Sequence, residues 1–533
     1  MSPTPATPDA PVTPAGPPAT PLDEAPATGS GQPGERRRFR AVLALARFET
    51  HDLLTQIQIL FFFALCLGLV VLQMVRQEGM DDYPILNMVD RDTQTVPPLF
   101  ALAVLVCANA AALRSRKYGT VHQFDVLAMD SWRRTLAHIL SVVPFAALTA
   151  LLVLARYTRE ALKPGAIGHG SLGELAVGPL TVLLAGVVGV LLARLLPSSF
   201  TPILFVIVFY LAVVVASELA GQGKGWAWQW LSPVSLDSVP SGDPVPSDLL
   251  GRPAAWHALY LLGLCAVVAC AALLLSGGRT RAVKAATALA LATTVAGVIG
   301  QVPRDTAALE EARKVASETP LKVQSCTKYD GSTYCSFPEW NGVRDDWSGV
   351  VRRARSLAGG TAATRPLTIR QRIDVTGGVE QDSSLTALTT PGEVTVGTHW
   401  GGNRVPEFAV GVATVLVTGT EEATTGELCG DARAVTIMWL ALGADPTPLA
   451  TFRDVRLDDS DKGSAVILAP TSGFSLGADQ TTVVRELLDR PRAEITERVK
   501  THWTELTSAS TTTAQAAKLL GVPVPKEAEK CEE

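Results

Sequence analysis

Long apolar runs, confined to the stretch between Ile57 and Val302, most constrain what this chain can fold into. A run of about 20 uncharged residues is long enough to cross the hydrocarbon core of a bilayer as a helix. Seven runs of roughly that length occur, at 57–75, 97–113, 136–155, 177–196, 200–217, 256–275 and 283–302. The pattern therefore predicts a polytopic α-helical membrane protein with about seven spans, and a transmembrane domain at 57–302.

The fourth and fifth runs are separated only by Pro197, Ser198 and Ser199. Three residues make a short turn between two complete spans. A re-entrant pair, which enters and leaves the bilayer on the same side, is the alternative at this position. Both readings remain open from the sequence.

The N-terminal segment has two parts. Residues 1–35 are rich in Pro, Ala, Thr and Gly and contain no aromatic residue, which predicts a disordered cytoplasmic tail. Residues 36–56 are amphipathic, with Val42, Leu45 and Phe48 on one side and Glu49 elsewhere. This predicts a helix in the membrane interface, with an ordinary cytoplasmic helix as the alternative.

Lys and Arg concentrate in the segments on the same side as the N-terminus, which predicts that this side is cytoplasmic in a cell-membrane protein. An odd number of spans then places residues 303–533 outside. Their composition is that of a soluble protein, and their apolar residues recur at both helical and strand spacing. We therefore expect an extracytoplasmic α+β domain at 303–533, with a loop at Asp458, Asp459 and Asp461.

Four cysteines fall in that domain, at Cys326, Cys335, Cys429 and Cys531. An even count suits an oxidising compartment and predicts disulfide bonds. We favour Cys326 with Cys335, across a short loop around Asp330 and Gly331, which leaves Cys429 with Cys531. The other connectivities and four free thiols remain open from the sequence alone.

Several kinds of chemistry have no signature in the chain. It contains no GxxxxGK[ST] phosphate loop and no HExxH zinc motif, so we predict no metal, cofactor or catalytic residue, and assign any ATP hydrolysis to a partner. No basic stripe interleaved with aromatic residues indicates a nucleic-acid partner. The apolar runs themselves make the lipid bilayer a predicted partner.

The segment 114–140 is the most informative stretch. It has a basic cluster, a Gly-Thr pair, a short amphipathic helix at 121–129 and an Arg-Thr-Leu-Ala return to the membrane. This order resembles the cytoplasmic coupling helix of type-2 ABC exporter permeases. The resemblance spans about 36–276 and also rests on these residues: Arg47, Glu49 and Asp52 in the interfacial helix, and Trp226, Trp228, Trp230 and Pro233 in an outer loop.

The resemblance implies a permease subunit of an ATP-driven exporter. Two such chains, as a homodimer or heterodimer, would surround a path, and separate ABC ATPase subunits would dock on each. The residues implied in this coupling are Val121, Phe124, Val126, Leu127, Arg133 and Arg134. The added seventh span and outer domain are similar to permease-like proteins of high-GC actinobacteria.

Two other classes of function compete with the permease. The first is a membrane-anchored sensor or envelope-assembly protein, whose outer domain binds a ligand or partner. The second is an intramembrane enzyme, which the sequence disfavours because its spans lack clustered Asp, Glu or His residues.

Overall fold

The structure is a computed structural model. It describes residues 33–75, 82–119, 129–221, 231–232, 243–302, 306–376, 385–422, 428, 430–459, 465–468, 470–471 and 473–525. Several predicted features lie outside these residues: the tail before Pro33, the tryptophans of the loop at 226–230, Asp461, Cys429 and Cys531.

The elements that the structure describes between Pro33 and Gln301 are helices. They are α1 Pro33–Leu54, α2 Ile57–Val75, α3 Leu86–Asp92, α4 Pro97–Lys117, α5 Ser131–Leu140, α6 Val143–Ala161, α7 Leu172–Leu195, α8 Thr201–Gly221, α9 Ser247–Leu250, α10 Ala254–Leu275 and α11 Arg281–Gln301. Among the described residues, six stretches are long and apolar enough to cross a membrane: Ile57–Val75, Leu86–Lys117, Ser131–Ala161, Leu172–Leu195, Ala254–Leu275 and Arg281–Gln301. A multi-pass membrane protein is therefore plausible on these helices.

Helix α7 is the centre of the bundle, and small residues let its neighbours approach. A side chain at Gly186 would collide with Val142 before α6, and one at Gly189 would collide with the backbone of Leu105 in α4. The space that the glycine leaves also allows Asn109 Nδ2 on α4 to donate a hydrogen bond to Gly189 O, 3.1 Å away. Close backbone approach and interhelical hydrogen bonds are the usual ties between helices in lipid.

The C-terminal domain mixes helices and strands. Its helices are α12 Thr306–Glu318, α13 Arg344–Leu357, α14 Arg404–Thr418, α15 Ala432–Leu442, α16 Pro448–Asp454, α17 Ala478–Leu488, α18 Arg492–Thr501, α19 Trp503–Leu506 and α20 Thr513–Leu520. Its strands are β1 Ser325–Tyr329, β2 Ser332–Ser336, β3 Thr368–Gln371, β4 Glu393–Val396, β5 Arg456–Asp459, β6 Ala465–Leu468 and β7 Gly473–Leu476. The expected loop at Asp458 and Asp459 is wrong, because both residues lie in β5, which pairs with β6.

The strands form two small sheets, in the orders β1-β2-β3-β4 and β5-β6-β7. Strands β1 and β2 are an antiparallel hairpin, while β3 and β4 are added in parallel. The hairpin turns at Asp330 and Gly331, which both have positive φ angles, as a two-residue type I′ turn requires. Cys326 and Cys335 face each other across this hairpin and form a disulfide, so the favoured pairing is confirmed.

The hydrophobic core of the domain includes residues that belong to the bundle. Ile85 before α3, Ile167 before α7 and Val245 before α9 are buried in one cluster with the domain's Trp340 and Trp347. Each comes from a loop at the same end of the bundle, which we call the domain-side end. The opposite end, where α1 lies, is the α1-side end. The domain therefore packs on the bundle through a common hydrophobic core.

Hydrogen bonds also stabilise this contact between the domain and the loops of the bundle. The backbone N–H of Ser247 donates to Oε1 of Glu339 at 2.8 Å, and Asn87 Nδ2 donates to Val245 O at 3.0 Å. On the other side of α9, Arg313 Nε on α12 donates to Leu249 O at 3.0 Å. Polar groups buried at such a junction need partners of this kind, so the contacts fix how the loops meet the domain.

Candidate functional site

The predicted coupling segment connects α4 to α5 at the α1-side end. Four of its predicted contact residues, Val121, Phe124, Val126 and Leu127, lie outside the described residues. The other two, Arg133 and Arg134, lie in the first turn of α5. The structure therefore describes α4 and α5, which flank the segment, and the contacts that these two helices make.

Arg133 is held close to the start of α5. Its Nε lies 3.3 Å from Oδ2 of Asp130, and its guanidinium lies 5.1 Å from the centroid of the Trp132 ring. An ion pair and a cation–π contact restrict this side chain and match part of its charge locally. This arrangement gives Arg133 a role in orienting the return into α5.

Helix α1 packs across the same end. Val42 and Ala46 form a small buried cluster with Ala137 of α5. Thr50 Oγ1 donates to Ala46 O at 2.9 Å and to Ser141 O, at the end of α5, at 3.3 Å. Helix α1 is therefore attached to the helix that follows the coupling segment.

The buried face of α1 differs from the one predicted. The residues buried are Val42, Ala46, Glu49 and Leu53, whereas Phe48 is 59% exposed. These four recur at intervals of four, three and four, which is one face of a helix. The amphipathic pattern placed Glu49 away from the apolar side, although Glu49 is also one of the residues on which the family resemblance rests. The spacing from Val42 and Ala46 was the signal that could have found it.

Glu49 joins α1 to the helix that precedes the coupling segment. Its Oε2 lies 3.5 Å from Nη2 of Arg114 on α4, and 3.8 Å from Nδ1 of His138 on α5. Arg114 also pairs with Asp52, one turn further along α1, at 2.5 Å. Burial raises the pKa of Glu49 above its ordinary value, against the lowering effect of Arg114. A buried carboxylate depends on such a cation.

Further arginines gather at this end. Arg194, at the end of α7, lies within electrostatic range of Arg116 and Arg134, and Arg114 and Arg134 both act on His138. The Nε of Arg194 is buried without a hydrogen-bond partner among the described residues. We call Arg114, Arg116, Arg134 and Arg194 the basic cluster. A concentration of guanidinium groups at a membrane boundary attracts carboxylates or phosphates of a partner.

A second polar network lies at the domain-side end. Gln94 Nε2 donates to Oε2 of Glu174 at 2.6 Å, and Nε of Arg252 lies 3.1 Å from Oε1 of the same carboxylate. Ser171 N donates to Oδ2 of Asp90 at 2.7 Å. These contacts connect the segments before α4, α7 and α10. No group of three or more His, Cys, Asp or Glu residues that could hold a metal occurs among the described residues.

The chain matches no protein-family model, no curated protein and no solved structure. Its functional assignment therefore depends on the residues and contacts described above.

Proposed function

We propose that this chain is the permease subunit of an ATP-driven ABC exporter, which forms the membrane path and couples to separate ATPase subunits through the segment between α4 and α5. The observation that carries the proposal is the attachment of α1 to both helices that flank this segment. Glu49 reaches Arg114 on α4, and Thr50 reaches Ser141 after α5.

This attachment supplies a mechanical argument. A force applied by an ATPase to the segment at 121–129 acts on the ends of α4 and α5 at once. Because α1 is joined to both, the three helices would move as one body. Rigid elements that shift together, biased by a partner's ligand, are a common basis for two-state switching in proteins.

The path of the chain supports seven passes. Helix α7 ends at the α1-side end, where Arg194 joins the basic cluster, yet the chain before α10 is at the domain-side end, where Arg252 pairs with Glu174. The intervening residues must return across the bundle. Helix α8, with 21 residues, would span about 31 Å at 1.5 Å per residue, enough for one crossing. We therefore favour a complete span over a re-entrant pair.

The proposed orientation puts the α1-side end in the cytoplasm. The basic cluster and Arg133 then face the cytoplasm, as the positive-inside rule requires. The domain with the Cys326–Cys335 disulfide lies outside, where disulfides persist. The positions of the arginines and of the disulfide both support an ATPase that contacts the coupling segment from the cytoplasm, where ATP is present.

A second permease chain is the proposed partner within the membrane. Helices α2 and α8 carry large apolar side chains that stay exposed, among them Phe61 at 60% and Leu204 at 60%. Lipid covers such faces in a single chain, and a paired chain would cover part of them in an exporter. The partner is a second copy or a related permease.

The packing of the domain on the bundle favours one alternative function. If a ligand bound to the domain, the shared core around Ile85, Ile167 and Val245 would transmit its effect to α3, α7 and α9. That arrangement suits a membrane-anchored sensor or envelope-assembly protein. This alternative requires no ATPase, and that difference separates the two proposals.

The test is co-purification of an ABC ATPase with the full chain from its native membrane in mild detergent, followed by measurement of Mg-ATP hydrolysis. We expect an ATPase to co-purify with the wild-type chain, and Phe124→Asp to abolish its recovery without reducing membrane insertion. The matched control is Leu196→Asp, because Leu196 is 58% exposed at the same end of the bundle but outside the coupling segment.

Leu196→Asp is expected to retain the ATPase. Recovery of the ATPase with Phe124→Asp at the wild-type level would refute the assigned coupling segment. A wild-type preparation that contains no ATPase, from membranes in which the chain is abundant, would refute the permease and favour the sensor.

A further inference from the structure

A cavity of about 240 Å³ opens at the junction of the bundle and the domain. One wall is apolar and aromatic, with Met74 of α2, Met88 of α3 and Trp400 of the domain. The opposite wall is charged and comes from the end of α6 and the loop after it. The cavity lies level with the last turn of two predicted spans, which is the depth of lipid headgroups in a bilayer.

The charged wall carries more cations than carboxylates. Arg156, Arg159 and Lys163 face the cavity, together with Asp92 and Glu160. Arg156 pairs with Asp92, whereas Arg159 and Lys163 both pair with Glu160, at 2.7 and 2.6 Å. Among the described residues that line the cavity, three cations thus face two carboxylates. Arg and Lys in this arrangement favour a phosphate group.

A second, apolar space in the bundle shares one residue of this lining. Arg156 also lines the outer end of a narrow apolar crevice between α2, α4 and α6, whose other walls include Phe63, Val70 and Leu152. The crevice encloses only about 20 Å³, so an alkyl chain would lie along it and not inside it. The cavity itself is smaller than the roughly 300–1,000 Å³ of pockets that enclose a whole small molecule. Its size suits a headgroup whose chains stay in lipid.

We propose that this cavity binds the phosphate-bearing headgroup of one anionic phospholipid from the leaflet on the domain side, between the end of α6 and Trp400. The apolar wall contacts the glycerol, and the upper parts of the chains lie along the outside of the crevice. The rings of Tyr83 and Trp400, with centroids 6.4 Å apart, form the aromatic part of this wall, and Trp400 is 3% exposed because its other face packs in the domain core. The bound lipid then joins the domain to the bundle. This inference is independent of the exporter proposal, since it needs no ATPase.

The test measures lipid binding to the delipidated full chain by native mass spectrometry, with phosphatidylglycerol and phosphatidylcholine titrated separately. We expect one phosphatidylglycerol to bind more tightly than the others and more tightly than any phosphatidylcholine. Arg159→Gln with Lys163→Gln should weaken that one site roughly 30-fold, because each of the two cations near an anionic headgroup contributes about 1 kcal/mol and 1.4 kcal/mol corresponds to tenfold. The control is Lys314→Gln with Lys322→Gln, which removes two exposed cations elsewhere in the domain.

A charge-preserving double variant, Arg159→Lys with Lys163→Arg, is the control for misfolding and should keep the preference for phosphatidylglycerol. Equal binding of the two lipids by the wild-type chain would overturn the proposal, as would an unchanged preference in the double Gln variant. A third arm adds soluble glycerol phosphate. If it displaces the lipid at millimolar concentration, the site recognises a free phosphate compound and the lipid assignment falls.

Discussion

Oε2 of Glu49 lies 3.5 Å from Nη2 of Arg114, although the first predicted span, α2, separates the two residues in the chain. Glu49 is only 7% exposed, so its carboxylate has little water around it. The ion pair therefore determines whether α1 stays attached to α4. Loss of Arg114 leaves a buried carboxylate, whereas loss of the Glu49 carboxylate leaves a guanidinium. The two substitutions should therefore have unequal effects.

Removal of the cation should be the more damaging change. Arg114→Ala leaves the buried Glu49 beside Asp52 without its main counter-charge, which typically costs about 3 kcal/mol or more. Glu49→Gln removes the buried charge as well, and should cost about 1–2 kcal/mol. The measurement is thermal unfolding of the purified chain in detergent, together with protease sensitivity of α1. Arg47→Ala, at an exposed position on α1, is the control and should leave both unchanged. Equal effects of Arg114→Ala and Arg47→Ala would show that the pair does not hold α1.

Thiol labelling tests topology and redox state together. Cys326 is exposed on β1 and Cys335 is buried on β2. With the domain outside, a membrane-impermeant thiol reagent should label Cys326 in intact cells only after reduction, and Cys335 more slowly. Peptide mapping by mass spectrometry reads each site separately. Labelling without reductant would exclude the disulfide in cells, and labelling only after lysis would reverse the proposed topology.

Glu407 gives the domain a predicted pH dependence. Its side chain is 8% exposed, and burial raises its pKa above the usual 4.5 despite the Arg404 guanidinium 2.8 Å away. A carboxyl whose pKa is higher in the folded state stabilises the fold below about pH 4.5, and this contribution is lost as the pH rises through the folded pKa.

Glu407→Gln should therefore flatten the decline in thermal midpoint as the pH rises above about 4.5. The readout is tryptophan fluorescence of the full chain during heating. Glu494→Gln, at an exposed ion pair on α18, should keep the wild-type pH profile. A Glu407→Gln profile parallel to that of the wild-type chain would refute the assignment.

The limits of the domain can be tested with soluble fragments. Ala316 of α12 is 1% exposed in the domain core, and Ser317 Oγ accepts a hydrogen bond from Val375 N at 3.0 Å. A fragment that begins at Thr306 should therefore be about 1–2 kcal/mol more stable than one that begins at Leu321. Chemical denaturation after secretion into an oxidising compartment gives both values. Ala316→Asp should abolish the added stability of the longer fragment. Equal stability of the two fragments would show that α12 does not contribute to the core.

Features with local causes were predictable from the sequence. The apolar runs predicted the helices of the bundle, because length and hydrophobicity suffice to identify a crossing segment. The Cys326–Cys335 pair followed from a turn at Asp330 and Gly331, since the two cysteines are nine positions apart in the sequence. The strand at Thr368–Gln371 lies among the residues at strand spacing, because Leu367, Ile369 and Ile373 alternate with polar neighbours.

Contacts between distant segments were not predictable. Glu49 carries a charge, and residue type alone places a charged residue on the polar face of an amphipathic helix. Only its contact with Arg114 explains why it is buried. Likewise, Ile85, Ile167 and Val245 lie in connections between helices, and no local pattern relates them to Trp340. Such pairings depend on the three-dimensional path of the chain.

The shared core also sets an order for biogenesis. Ile85, Ile167 and Val245 are synthesised long before Trp340 and Trp347, which complete their burial. Until residues 340–347 have been synthesised, the three loops have apolar side chains without that cover. A chain that ended before this point would leave them exposed. The loops of the bundle therefore reach their final packing only after the C-terminal domain has been made.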